Sequence, residues 1–188
     1  MKKKWIAAII VVLILVIGAP KVADYVKLKK SQDFVYTAMQ ELSADNLNLD
    51  FTGYSFKEKA GDNASISIMF TEQKAEQFVD TLQAAPKECY VTADSVGLET
   101  SSQREYATVL LYFNDHTTYH FRYQDGFVQL LAWEQGIGYS FVINDDNLSA
   151  LVEEYNAFAK EMKELNDVVE QWKENDSKVM HSKEEQVK

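Results

Sequence analysis

The segment His116-Thr117-Thr118-Tyr119-His120 places two imidazoles four residues apart. On one helix, or on one uninterrupted strand, that spacing would put both rings on the same face and make a metal pair conceivable. Here His116 follows Asn114-Asp115 in a stretch that reads as a turn, so the two rings are expected to diverge. No second group of His, Cys or carboxylate supports a metal, and no metal or cofactor is implied. Asn144-Asp145-Asp146-Asn147 lacks the alternating acidic spacing and distal glutamate of a calcium loop, and reads as a helix cap. Cys89 has no histidine near it in sequence and reads as a small buried residue. The serine of Gly136-Ile137-Gly138-Tyr139-Ser140 is not spaced as in a nucleophile elbow. The sequence contains no phosphate loop, dinucleotide fingerprint or zinc-protease helix.

Four residues of the central region remain as a candidate ligand site: His120, Arg122, Gln129 and Trp133. They come together only if the strands carrying them pair in one register. The runs 105–113, 118–123, 127–133 and 139–143 are rich in β-branched and aromatic residues and are separated by turn-type residues. This predicts an antiparallel meander. Asp125-Gly126 is the strongest hairpin signal, because a two-residue type I′ turn needs positive φ at both positions. It sets Gln124 opposite Phe127, Tyr123 opposite Val128, Arg122 opposite Gln129 and Phe121 opposite Leu130. A second two-residue loop at Asp115-His116 would set Tyr112 opposite Tyr119 and Leu110 opposite Phe121.

On that register one sheet face collects Leu110, Tyr112, Tyr119, Phe121, Tyr123, Val128, Leu130 and Ala132. It is wholly apolar or aromatic and is expected to be the core. The other collects Val109, Leu111, Phe113, His120, Arg122, Phe127, Gln129, Leu131 and Trp133. This mixed face is expected either to be covered in part by a helix over 72–85 or to bind a ligand. A slip of one residue in either loop would exchange the faces.

The flanking elements follow from periodicity. Leu47, Leu49 and Phe51 alternate with polar residues and predict a strand, with Ile66, Ile68 and Phe70 as its hairpin partner across the turn 58–64. Thr71 is an N-cap for a helix carrying Ala75, Phe78, Val79 and Leu82 on one side, ended by Pro86. A short strand is expected at 89–91 and a loop over 93–103. After the acidic cap, apolar residues at Leu148, Leu151, Tyr155, Phe158, Met162, Leu165, Val169 and Trp172 step by threes and fours, a sustained heptad seam. Such a helix should outrun the sheet. Its outer half (Met162, Leu165, Val169, Trp172) then has two candidate partners: the juxtamembrane helix through Leu28, Val35 and Met39, or a second copy of the chain. From Lys173 the apolar stripe stops and a frayed, charged tail over 173–188 is expected.

The chain opens with three lysines and then an uncharged run from Trp5 to Ala19. At about 1.5 Å per residue that run spans roughly 22 Å, short of the ~30 Å hydrocarbon core. Cleavage as a signal peptide would put Ile17 or Lys21 at a position that wants a small residue. Extension through Tyr25 and Val26, with Lys21 snorkelling, gives an uncleaved anchor over 1–26. The basic leader favours an inward N-terminus. A juxtamembrane helix over 27–45 and an extracytoplasmic domain over 46–172 are then expected.

Charge bounds the partners. Of the 19 basic and 29 acidic residues, seven basic and one acidic fall in the first 30, which leaves 12 against 28 in the remainder. So acidic a domain has no electrostatic route to a phosphate backbone, and nucleic acid is excluded as a partner. Membrane contact is expected through the N-terminal helix alone. A single cysteine permits no internal disulfide, which in an exported domain reads as bacterial.

The stretches SISIMFTEQKAEQFVDTLQAA, YATVLLYFNDHTTYHFRYQDGFVQLL and NDDNLSALVEEY give a strand leading into a Thr-capped helix, a meander closing on Asp-Gly, and a helix behind an acidic cap. From about Asn63 to Phe158 this layout resembles small membrane-anchored extracytoplasmic domains of Gram-positive bacteria. The long heptad after Tyr155 departs from them. The resemblance implies an α+β fold behind one anchor and brings no activity or cofactor with it. A non-enzymatic binding, sensing or accessory module is therefore expected. The alternatives are a hydrolase-like enzyme acting on envelope material and a structural spacer that oligomerises through its C-terminal helix.

Overall fold

The computed structural model describes the backbone of residues 2–57, 66–98, 106–132 and 140–185, and the side chains of 21–56, 67–98, 107–131 and 140–173. The architecture is α+β. Seven antiparallel strands form one sheet, β1 (Gly53–Lys57), β2 (Ile66–Met69), β3 (Tyr90–Thr92), β4 (Tyr106–Tyr112), β5 (Thr118–Gln124), β6 (Phe127–Ala132) and β7 (Phe141–Ile143), in the order β2-β1-β4-β5-β6-β7-β3. Three α-helices accompany it: α1 (Lys2–Gln40), α2 (Glu72–Ala84) and the long C-terminal α3 (Asp146–Glu185).

The Asp125-Gly126 hairpin has the expected register at all four pairs from Gln124–Phe127 to Phe121–Leu130. Both turn residues have positive φ, 53° and 84°. One step further the strand bulges, so that His120 opposes Ala132 and Leu131 is the extra residue.

The preceding loop differs from expectation. Tyr112 pairs with Thr118, Leu111 with Tyr119 and Val109 with Phe121, one residue away from the expected register. The loop is longer than two residues: Phe113 N–H donates to Thr117 O, and His116 sits at φ 70°. The slip exchanges the faces of β4. Ala107, Val109, Leu111 and Phe113 are buried in the core, whereas Leu110 and Tyr112 are on the outer face. The assignments on β5 and β6 hold for Phe121, Val128 and Leu130.

The expected strand over 47–51 is also displaced. Leu47 makes only an isolated bridge to Phe113, and Asn48 folds back, its Oδ1 accepting from Asp50 N–H and its carbonyl from Phe51 N–H. The strand starts at Gly53 instead, where it pairs with both β2 and β4. Thr52 Oγ1 prolongs the β4 pairing by exchanging hydrogen bonds with Tyr112 N–H and O. An Asx turn competes with the ladder for the same backbone groups, and here it wins. The turn expected over 58–64 lies outside the described residues.

The Thr71 cap is present, with its hydroxyl accepting from Lys74 N–H at 3.3 Å, and α2 buries Ala75, Phe78, Val79 and Leu82. Asp145 caps α3 through Leu148 N–H at 2.9 Å. α3 buries Leu148, Leu151, Val152, Tyr155 and Ala159 and continues as helix to Glu185, beyond the point where fraying is expected. Short-range pairs such as Lys173–Glu170 suit a helix there.

All three helices lie on one side of the sheet. Phe78 of α2 meets Phe121 edge-on at 5.5 Å, Tyr155 of α3 meets Tyr54 at 5.9 Å, and Tyr36 of α1 meets Tyr90 at 5.4 Å. α1 belongs to the domain: its Val35 and Met39, with Leu42 just beyond its end, are in the same core, earlier than the expected start at 46. Gln32 Nε2 donates to Tyr90 O at 2.7 Å, and Gln40 and Gln83 each donate to the other's backbone carbonyl. Pairing of α1 with the outer half of α3 is thereby ruled out, because Val35 and Met39 are spent on the core and Met162 to Trp172 are exposed.

Buried phenols make this core alkali-sensitive. The hydroxyls of Tyr54, Tyr90 and Tyr155 donate to Asn156 Oδ1, Leu82 O and Lys74 O. Burial pushes Tyr155 up to about 12 and Tyr54 and Tyr90 higher still. An unfolded phenol ionises near pH ~10, so above that pH the unfolded state loses protons that the folded state keeps. Stability is therefore full below pH ~10 and falls as pH rises toward 12. Urea melts are expected to shift to lower midpoints at pH 11 than at pH 8, and the shift to shrink in Tyr155→Phe; equal shifts in both proteins would refute this account.

Candidate functional site

All three α-helices pack on one face of the sheet; among the described residues no α-helix packs on the other, although Gln124, Gln129 and Val142 on it are buried. On that second face a row of directly opposed residues runs across the strands: Ser67, Ser55, Thr108, Arg122 and Gln129, then Val142. His120 lies two residues before Arg122 on β5 and shares its face. The structure thus brings together His120, Arg122 and Gln129. Trp133 lies outside the described residues. α2 does not cover this face, contrary to one expectation, because its apolar side is spent against Phe121 on the other.

Gln129 is 3% exposed. Its Nε2 donates to Ser140 Oγ at 2.7 Å, while its Oε1 is buried and accepts no hydrogen bond. Arg122, directly opposite, is half-buried with its Nε shielded from solvent. A buried amide oxygen without a donor costs about 1–3 kcal/mol, and a donor that reaches it recovers that. This is the best-built polar feature among the described residues. It sets a buried amide acceptor opposite a half-buried guanidinium. Among the described residues here, no nucleophile is shown held against a base.

The two histidines occupy different elements. His116 is docked in its loop, its Nδ1 2.9 Å from Tyr112 Oη, while His120 lies on the sheet. No group of three metal-capable side chains occurs among the described residues.

A second feature was not legible from the sequence. A groove of about 450 Å³ lies between the C-terminal end of α1 and the β4–β5 loop, lined by Glu41, Asn46, Asn114, Asp115, Phe113 and Tyr119 among others. Burial pushes the Tyr119 phenol up, and Asp115 and Glu41 add to that. Thr117 N–H donates to Asp115 Oδ1 at 2.9 Å and holds its carboxyl below the usual range. Its signal is present only as two unrelated turn sequences, 43–46 and 114–116, which the fold places side by side.

No family model, curated protein or solved structure matches this chain. The site therefore rests on its own geometry. The four seam residues expected to meet a partner, Met162, Leu165, Val169 and Trp172, are all exposed on α3. Among the residues searched no helix is long and apolar enough to cross a membrane; the Trp5–Ala19 side chains lie outside the described set.

Proposed function

We propose that this chain is a single-pass, membrane-anchored extracytoplasmic binding module whose ligand face is the outer face of the sheet around His120, Arg122 and Gln129. The observation that carries the reading is the one-sided packing of the helices, which leaves a polar, partly buried row on the opposite face. A face meant only for solvent would not bury an amide oxygen without a donor. The anchor rests on the uncharged run Trp5–Ala19 behind three lysines.

With the anchor over 1–26, the domain stands close to the bilayer. The helix is continuous from Lys2 to Gln40, and Gln32 already contacts the domain. About six residues separate it from Val26, or roughly 9 Å of helix. Lys27, Lys29 and Lys30 fall in that gap, where they suit the headgroup region and offset the acidic domain behind them.

The test is site-specific photocrosslinking in intact bacterial cells expressing the full-length chain. A photoreactive residue replaces His120, and in a second strain Ser149, which sits on the helix side. Discrete envelope adducts from position 120 that are absent from 149, and that are lost on addition of Gln129→Ala, are expected. External protease should digest the domain in the same cells. Adducts equal at both positions would overturn the ligand face, and a domain untouched by protease would overturn the topology.

A further inference from the structure

The groove between the C-terminal end of α1 and the β4–β5 loop has a volume of about 450 Å³. Small-molecule sites usually measure about 300–1,000 Å³. None of His120, Arg122 and Gln129 lines it. Its walls are fixed to each other. Asn114 N–H donates to Asn46 O at 2.9 Å, and Leu47 forms a bridge with Phe113. Phe113 N–H donates to Thr117 O and His116 N–H to Phe113 O, which closes the loop. A ligand entering the groove therefore has little chain to order.

The lining joins an apolar part to a negatively charged one. Phe113 and Tyr119 meet edge-on at 5.7 Å, and both line the groove beside Ala38 and Leu42. Glu41 and Asp115 line it as well. Carboxylates only accept hydrogen bonds. Among the described lining residues there is no Lys, Arg or Trp, the side chains that donate without accepting. Burial, then Asp115 and Glu41, push the Tyr119 phenol up, so both carboxylates act on one point of the groove. Thr117 N–H orients Asp115 through Oδ1 at 2.9 Å. The end of α1 adds the partial negative charge of its last carbonyls, and no basic residue in its last turn offsets it. Aromatic rings, acceptors and excess negative charge in one cavity suit a cation with N–H donors and an apolar body.

We propose that this groove binds a small organic ammonium ion, with its N–H groups toward Glu41 and Asp115 and its apolar body against Phe113 and Tyr119. A neutral alcohol of the same shape lacks the charge, and a carboxylate is repelled. The adjoining groove of about 330 Å³ is lined by Asp45, Glu76 and Asp80 but by no aromatic ring among the described residues. It serves as the internal control for charge alone.

Amide proton–nitrogen correlation spectra of the full-length chain in a nonionic detergent, at about 0.15 M salt, test the proposal. The probes are benzylammonium, benzyl alcohol and benzoate, alike in shape and different in charge. Benzylammonium is expected to shift amides of 41–46 and 113–119 and to saturate, with a Kd on the order of 1 mM. Glu41→Gln is expected to weaken it about tenfold or more, and Glu76→Gln by less than about twofold. Benzyl alcohol and benzoate are expected to give no saturable shift. Both glutamates are exposed, and each variant's own spectrum reports whether the fold is kept. Absence of a saturable shift with benzylammonium overturns the proposal. So do shifts spread evenly over the acidic surface, equal weakening by the two substitutions, or benzyl alcohol binding as tightly as the amine.

Discussion

Phe78→Ala is expected to destabilise the domain by about 3–5 kcal/mol. The ring is fully buried and meets Phe121 at 5.5 Å and Phe70 at 6.1 Å. Phe70 in turn meets Tyr155 at 5.2 Å, so Phe78 ties α2 to the sheet directly and to α3 through Phe70. Truncation removes the transfer free energy of the ring and leaves a cavity. Three elements border that cavity, and none can close it without leaving another contact. A domain of this size has about 5–15 kcal/mol in total, so the loss is a large share. Urea denaturation followed by tryptophan fluorescence and far-UV circular dichroism measures it. A loss below about 1 kcal/mol would show that the helices pack on the sheet less tightly than described.

Gly53→Ala is the second large effect, and its cause is different. A Cβ at this position would lie 2.5 Å from Ile68 O, 3.1 Å from Met69 Cα and 3.2 Å from Ile68 C. All three are backbone atoms of the neighbouring strand, so no side-chain rotation relieves the clash. Gly53 opens β1 and is paired on both sides, with Met69 and with Leu110. The substitution must push β2 away from β1 at its first rung, and β2 is the edge strand that leads into α2. A cost at or above the usual ~1–3 kcal/mol of overpacking is expected. Hydrogen exchange should localise it, with amides of 66–70 losing protection before those of β5 and β6. Uniform loss across the sheet, or none, would contradict this origin.

Comparison of the two hairpins of the meander shows what pattern can and cannot carry. Asp125-Gly126 fixed its register because a glycine marks a position where φ is positive, and the loop could therefore be counted. The β4–β5 loop has no glycine; His116 takes the positive φ, which a sequence pattern does not advertise. The loop is therefore one residue longer than a two-residue turn, and Val109, Leu111 and Phe113 take the core face in place of Leu110 and Tyr112. The run of β4 is apolar on both faces, so composition gave no protest. The strand near 47–51 failed for a related reason. Its alternation was real, but Asn48 had a local hydrogen-bonding alternative, and Gly53, which reads as a breaker, was needed where two strands approach closely.

The candidate site was partly legible. Arg122, Gln129 and His120 share a face because period-two alternation and one well-marked turn are local properties. That the face carries no helix is not local, since it depends on which side of the sheet α2 chooses.

The chain's local pattern and composition alone determined that there would be an antiparallel sheet, a Thr-capped helix, an acid-capped long helix with a heptad seam, and an acidic stretch after a basic, apolar N-terminal run. Each of these is set by neighbours within a few residues. Only the tertiary structure decided that α1 joins the core, that all three helices share one side, and that half of the α3 seam is left outside. Those outcomes depend on which apolar surfaces exclude water from one another, and that competition is settled among elements far apart in sequence.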